Sequence, residues 1–148
     1  MFLKDIRVEE INTNIDWIVF EDHNLGELQE RKENFQLWNN EQKSRYIESL
    51  LTIGSISPFV FGNQFSGYPQ IVDGFQRYSA LIEFIRDEQF SLVGLRYISA
   101  FENKKFSELP RNIQRRFKMV CVKVYVVMPD TLPEYYLDVC RTINPNIA

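Results

Sequence analysis

The clearest alternation of apolar and polar positions lies between Met119 and Met128. One side of this stretch carries only valines, and the other side is mixed: Val120, Val122, Val124 and Val126 against Cys121, Lys123 and Tyr125. A period of two residues is typical of a strand with one buried face. The pattern therefore predicts a strand over 119–128 whose valines are buried, so that Val124→Asp would unfold the domain.

A helical period follows Trp38. Its apolar positions recur on one face of a helix, at Tyr46, Ile47, Leu50 and Leu51. Asn39 or Asn40 suits the N-cap of this helix, and Gly54 suits its end. The pattern predicts a helix from this cap through about Ile53.

The next stretch predicts a hairpin that leads into a second helix. Phe59-Val60-Phe61 is typical of a strand, residues 62–67 are rich in turn formers, and 68–72 return as a strand. A sharp turn is expected at Asp73-Gly74, followed by a helix over 76–87. The core face of that helix has the spacing i, i+3, i+4 and i+7: Tyr78, Leu81, Ile82 and Ile85.

Four shorter elements complete the prediction. Trp17-Ile18-Val19-Phe20 and Leu95-Arg96-Tyr97-Ile98 are interpreted as strands, and residues 111–117 as a short helix. Pro133 suits the first turn of a last helix. Its inward positions would be Tyr136, Leu137, Cys140 and Ile143. The expected fold class is α+β, a small mixed β-sheet flanked by helices, with residues 1–148 forming a single domain.

Charge divides unevenly along the chain. The 148 residues carry a net charge of −3, so the molecule as a whole has no field that attracts nucleic acid. The segment 104–123 is a basic exception, with one carboxylate, Glu108, among seven cations: Lys104, Lys105, Arg111, Arg115, Arg116, Lys118 and Lys123. Such a cluster can contact phosphates, as DNA would offer, although it is more often a solvated face.

Residue usage excludes several kinds of site. His23 is the single histidine, which excludes zinc sites with several histidines and a His-Asn-His nuclease centre. Cys121 and Cys140 lie in apolar stretches and are expected to be buried thiols. No signal peptide or membrane span is recognisable, so a reducing cytoplasm is expected. Two Glu-x-Lys triplets, Glu41–Lys43 and Glu102–Lys104, lack a preceding Pro-Asp and are interpreted as surface charge.

The turn at residues 73–77 has the chemistry of a phosphate-binding corner. Asp73 can cap the helix that follows, and Gly74 allows close backbone approach. Gln76 and Arg77 fall in the first helical turn, where free amides and the helix dipole favour an anion. The guanidinium fork of Arg77 matches phosphate oxygens. The simpler alternative is an ordinary strand-turn-helix with an exposed arginine.

The same turn resembles a known family motif. Asp73, Gly74, Gln76, Arg77, Ala80 and Leu81 match the Asp-Gly-Gln-Gln-Arg motif in the N-terminal domain of GmrSD-type, modification-dependent restriction enzymes, of the ParB/sulfiredoxin-like superfamily. Three further segments resemble the family in the same order: 46–59, 106–110 and 141–144. The chain departs from the family at Phe75, where sulfiredoxin has its reactive cysteine, at Glu33-Asn34 and at Pro145-Asn146.

The resemblance implies a ParB/sulfiredoxin-like fold and a nucleotide-binding domain, at most weakly NTP-hydrolysing, in DNA restriction or phage–host defence. By the resemblance, Asp73 and Gln76 would be catalytic. Nucleoside triphosphate with Mg²⁺ would be held by Gly74, Arg77, Arg141, Asn144 and Trp38. A separate protein would carry the nuclease activity, because this chain alone is not expected to cut DNA. The alternative is a non-catalytic DNA- or protein-binding module that kept the fold and lost turnover.

Overall fold

The computed structural model describes residues 7–20, 37–54, 57–62 and 70–128, and positions 131, 135, 138, 139 and 142. Its centre is a four-stranded sheet in the order β1-β4-β2-β3. The strands are β1 (Val8–Asn14), β2 (Phe59–Gly62), β3 (Gln70–Asp73) and β4 (Cys121–Val127). The β2–β4 pair is parallel and the other two pairs are antiparallel. The predicted α+β class, a small mixed sheet flanked by helices, is confirmed at this level.

Strand β4 follows the predicted alternation. Val122, Val124 and Val126 are buried, and Val124 faces Ile11 of β1 and Phe59 of β2. The same alternation turns Cys121 to the opposite side, where it is exposed. The prediction of a buried thiol at Cys121 is therefore wrong, because the valine side of β4 is buried and the side that carries Cys121 is not. Cys140 lies outside the described residues.

The interpretation of Trp17–Phe20 as a strand is wrong, because these residues belong to helix α1 (Ile15–Phe20). Asn14 Oδ1 accepts a hydrogen bond from the Trp17 amide at 2.9 Å, as an N-cap residue does. Ile15, Ile18 and Val19 are consequently buried on one helical face. The residues before this cap form β1, an edge strand that its polar sequence did not predict.

Helix α2 (Asn40–Ile53) has the predicted bounds. Asn39 and Gln42 form a capping box, and Gly54 ends the helix with φ +71°. Three of its predicted core positions, Ile47, Leu50 and Leu51, are buried, while Tyr46 is half-buried. The helix also buries polar side chains at Lys43, Ser44 and Glu48.

The hairpin of β2 and β3 leads into helix α3 (Phe75–Leu81), which continues as a π-helical turn over Ile82–Arg86. Tyr78, Leu81, Ile82 and Ile85 are buried, as predicted. Glu83 in the π-helical turn forms an ion pair with Lys43 of α2, 2.5 Å from Nζ to Oε2. Lys43 is 8% exposed, so the interpretation of the Glu41–Lys43 triplet as surface charge is wrong for this residue.

Residues Leu95–Ile98 are an irregular loop, so the predicted strand is wrong here. Two carboxylates take the backbone amides that a strand would need. Glu102 accepts from Gly94 and Leu95, and Glu48 accepts from Arg96, Tyr97 and Ile98. Burial of the Glu48 carboxylate would raise its pKa, but these amides and the Arg96 charge outweigh it and lower the pKa.

Two 3₁₀ turns, Ser99–Phe101 and Phe106–Glu108, precede helix α4 (Arg111–Lys118), the short helix expected near 111–117. Phe106 and Phe117 pack against Phe84 with ring centroids 5.8 and 6.3 Å away, which anchors this region to the core. No helix in the described ranges is both long and apolar enough to cross a membrane. The predicted inward positions of the last helix lie outside the described residues.

Candidate functional site

The turn between β3 and α3 depends on a glycine. Gly74 takes the N-cap position of α3 with φ +100°, a conformation that glycine adopts without strain. A Cβ at this position would lie 2.5 Å from Cδ1 of Phe59. Because Gly74 occupies the cap, the expected capping role of Asp73 is wrong, and the helix begins without a side-chain cap.

Arg77 points back toward the chain that precedes β2. Its Nη1 donates to the Ser57 carbonyl at 2.6 Å, and its Nη2 donates to the Pro58 carbonyl at 3.2 Å. Nη2 also lies 3.5 Å from Asp73 Oδ2, and the guanidinium covers the Phe59 ring at 4.8 Å. With its side chain 16% exposed, Arg77 already has internal partners for much of its fork. The simpler alternative was therefore wrong about the exposure of Arg77, although its strand-turn-helix is present.

Gln76 contacts a second segment. Its Oε1 accepts a hydrogen bond from the Trp38 amide at 3.1 Å. The Trp38 ring meets the Tyr46 ring edge-on, 5.9 Å between centroids. The structure therefore places Trp38 beside the turn, where its backbone amide bonds to Gln76.

Tyr46 lies close enough to Arg77 to feel its charge, which the core position predicted for Tyr46 did not indicate. Its hydroxyl is buried, with no hydrogen-bond partner among the residues described. Burial raises the pKa of the Tyr46 phenol well above its ordinary value, and the nearby Arg77 charge opposes this rise. The helical spacing of Tyr46 gave no sign of its closeness to Arg77.

An open cleft of about 430 Å³ lies beside the turn. Apolar side chains and three oxygen-bearing ones line it: Val8, Pro58 and Val60, with Ser57, Asp73 and Tyr125. The side chain of Asp73 is 40% exposed here, on the opposite side of the sheet from Val124. Sequence reasoning missed Ser57 and Tyr125, although the alternation in β4 turned Tyr125 away from the buried valines.

The expected magnesium, bound together with a nucleotide, would need only one or two carboxylates beside phosphates and waters. Asp73 supplies one carboxylate, and Arg77 already lies against it. Within the described parts of the chain, no three His, Cys, Asp or Glu side chains come together as metal ligands would. Arg141 and Asn144, the other proposed nucleotide contacts, lie outside the described residues.

The predicted basic cluster divides into three groups. Five of its members are exposed: Lys104, Lys105, Arg111, Arg115 and Arg116. Lys118 is half-buried, with Nζ 5.1 Å from the Phe20 ring and 5.8 Å from the Phe106 ring. Lys123 lies on β4 and forms an ion pair with Glu10 at 3.2 Å. The basic surface therefore centres on α4.

Comparison of the chain with protein-family models, with curated proteins and with solved structures found no match.

Proposed function

We propose that this chain is a non-catalytic nucleotide-binding module of the ParB/sulfiredoxin type, and that the cleft beside Asp73 receives the nucleoside part of its ligand. The observation that carries the proposal is the position of the turn. Asp73 lines the cleft, and Arg77 holds Ser57 and Pro58, which line it too. The motif residues thus form and support one wall of the binding site.

The chemistry of the lining suits a nucleoside. A volume of about 430 Å³ is in the usual range for small-ligand pockets. The ring of Tyr125 and the side chains of Val60 and Pro58 offer apolar surface to a base. Asp73 offers a carboxylate, which is a common acceptor for ribose hydroxyls.

The phosphates have a smaller role in this proposal. The guanidinium of Arg77 is already engaged at the cleft wall by Asp73 and two carbonyl groups. The affinity would therefore come mostly from base and ribose. Two contacts support a module without turnover: Arg77 lies against Asp73, and Gln76 accepts a hydrogen bond from the Trp38 amide. By the resemblance, such a module would serve DNA restriction or phage–host defence beside a protein that carries the nuclease activity.

The test is a thermal-shift screen of nucleosides, monophosphates and triphosphates, each with and without Mg²⁺, followed by calorimetry. A ligand at 100 times its Kd adds about 2.7 kcal/mol of stability. We expect a nucleoside and its triphosphate to bind similarly, independently of Mg²⁺. Tyr125→Ala and Asp73→Asn should weaken binding, whereas Lys123→Ala, a neighbour on the same side of β4, should not.

Two results would count against the proposal. The first is the absence of any shift, or binding that both cleft variants leave unchanged while folded. The second is a triphosphate-specific, Mg²⁺-dependent shift that Arg77→Ala abolishes with the fold intact. That second result would instead support phosphate binding at Arg77.

A further inference from the structure

The outward side of helix α4 is cationic. Ile113 and Phe117 face the core, and Phe117 is fully buried. Arg115 projects from the opposite side, with Arg111 one turn before it, about 6 Å along the helix axis. Lys104 and Lys105 precede Phe106, and the contact of Lys118 with the Phe106 ring brings that segment beside the last turn of α4. We call Lys104, Lys105, Arg111, Arg115 and Arg116 the α4 basic face.

These five side chains differ from most of the other cations among the described residues in how they are partnered. Six cations elsewhere in the described chain have a carboxylate within ion-pair distance: Arg7, Lys43, Arg45, Arg77, Arg86 and Lys123. Within the same described ranges, no member of the α4 basic face forms an ion pair. Lys105 comes nearest, since its charge contributes to lowering the pKa of Glu88, after the hydrogen bonds from Ser107. The α4 basic face therefore keeps most of its charge available.

The helix dipole could account for the cations at the end of α4, but it does not account for Arg111 at its start. Arg115, Arg116 and Lys118 lie in the last turn, where the helix dipole favours cations. Arg111 is the first residue of the helix, where the dipole disfavours a cation. Lys104 and Lys105 lie outside any long helix, so the α4 dipole does not account for them either. An external anion would explain all five.

We propose that the α4 basic face binds the sugar-phosphate backbone of a nucleic acid. Three of the five residues are arginines, whose planar forks match phosphate oxygens. A membrane surface fits less well, because a membrane-bound helix needs a free apolar side and that of α4 is packed in the core. Contacts to the backbone alone carry no sequence information, so binding should be sequence-independent.

The positive charge is concentrated in one segment of the chain, and this limits where a polyanionic ligand can bind. Residues 104–118 hold six cations and one carboxylate, a net charge of +5, whereas the whole chain has −3. The remainder of the sequence therefore carries a net charge of −8, and among the described residues this face is the one that attracts a polyanion. Binding should depend strongly on salt, with a slope of about −0.9 in log K against log salt for each duplex phosphate contact.

The experiment measures fluorescence anisotropy of a labelled duplex and of its single strand across a salt series. The test variant is Arg111→Gln/Arg115→Gln/Arg116→Gln. The matched control is Arg7→Gln/Arg45→Gln/Arg86→Gln, which changes the net charge equally on other surfaces. We expect the test variant to lose at least about tenfold in affinity and to flatten the slope by about 0.9 per lost contact, while the control keeps both. Lys104→Gln and Arg111→Gln alone should give smaller losses, and they replace the triple variant if it does not fold.

Polyglutamate and phosphatidylserine vesicles test the other partners. Binding to either of these without binding to nucleic acid would overturn the proposal, as would equal losses in the two triple variants. Failure of wild-type protein to bind nucleic acid at low salt would also overturn it. Tyr125→Ala should leave this binding unchanged, so the result is separate from that of the nucleotide cleft.

Discussion

The backbone amide of Trp38 donates a hydrogen bond to Gln76 Oε1, 3.1 Å away. The next residue, Arg77, holds the carbonyls of Ser57 and Pro58. These two segments precede and follow helix α2, so adjacent side chains of one turn fasten both ends of that helix to α3. The motif that suggests ligand chemistry in the sequence is also a structural connection in the fold.

Replacing Arg77 should therefore destabilise the protein even without ligand. A hydrogen bond to a charged group contributes about 1.5–3 kcal/mol, and Arg77→Ala removes two of them. Arg77→Lys keeps the charge but loses the fork, so it should also destabilise. The free energy of unfolding, measured in urea, checks both. Arg45→Ala, which breaks an exposed pair with Glu41, is the control and should cost no more than about 1 kcal/mol. A fully stable Arg77→Ala would contradict the fastening role.

Gly74→Ala should cost more than Gly54→Ala. Both glycines have positive φ, +100° and +71°, so each substitution adds backbone strain of about 1–2 kcal/mol. At Gly74 the new Cβ would also lie 2.5 Å from the Phe59 ring, whereas at Gly54 no atom of the described residues lies within 4 Å of it. The midpoints of urea unfolding of the two variants measure the difference. Equal midpoints would mean that the Phe59 ring moves aside at no cost in free energy.

Val124→Asp should unfold the domain. Val124 is 0% exposed, and an unpaired buried carboxylate costs several kcal/mol out of a total stability of about 5–15 kcal/mol. Cys121→Asp puts the same group at an exposed position of the same strand and should remain folded. Circular dichroism compares the two variants. A cooperative melt of Val124→Asp at the wild-type temperature would refute the burial of this strand.

Glu48→Gln should remove a pH-dependent part of the stability. The folded-state pKa of Glu48 is lowered below its ordinary value of 4.5. Its contribution is therefore complete above that value and is lost as the pH falls through the folded pKa. Unfolding free energies of wild type and Glu48→Gln should differ most near neutral pH and converge in acid. Glu41→Gln, at an exposed position of the same helix, is the control for removing one negative charge from α2.

Elements with local signals could be predicted from the sequence. Asn39 and Gly54 mark the ends of α2, and the alternation of valines marks β4. The prediction was wrong for Trp17–Phe20 because a short apolar run is compatible with either a strand or a helix. The N-cap at Asn14 favours the helix. The prediction of a strand at Leu95–Ile98 failed for a non-local reason. The carboxylate of Glu48, far earlier in the chain, accepts hydrogen bonds from backbone amides of this segment.

The position of the turn at the candidate site was predictable from the sequence, but the contacts of its side chains were not. The sequence indicated the turn at Asp73-Gly74 and its neighbours Gln76 and Arg77. Their partners include backbone groups of Trp38, Ser57 and Pro58, and residue types do not reveal which backbone groups a side chain will meet. The cleft was not predictable either, because Tyr125 joins it through the pairing of β4 with β2.

The strand order also determines when the sheet can form during synthesis. β4 lies between β1 and β2, so the first strand and the β2–β3 hairpin have no direct pairing with each other. The sheet that joins β1 to the hairpin must therefore wait for Cys121–Val127 to leave the ribosome, although α2 and the hairpin itself can form earlier from local contacts. Closing such distant pairs slows folding, because the entropy of the long intervening chain is lost before the contacts are gained. Until then the nascent chain exposes the apolar strand β2, and this interval is when it would most need a chaperone.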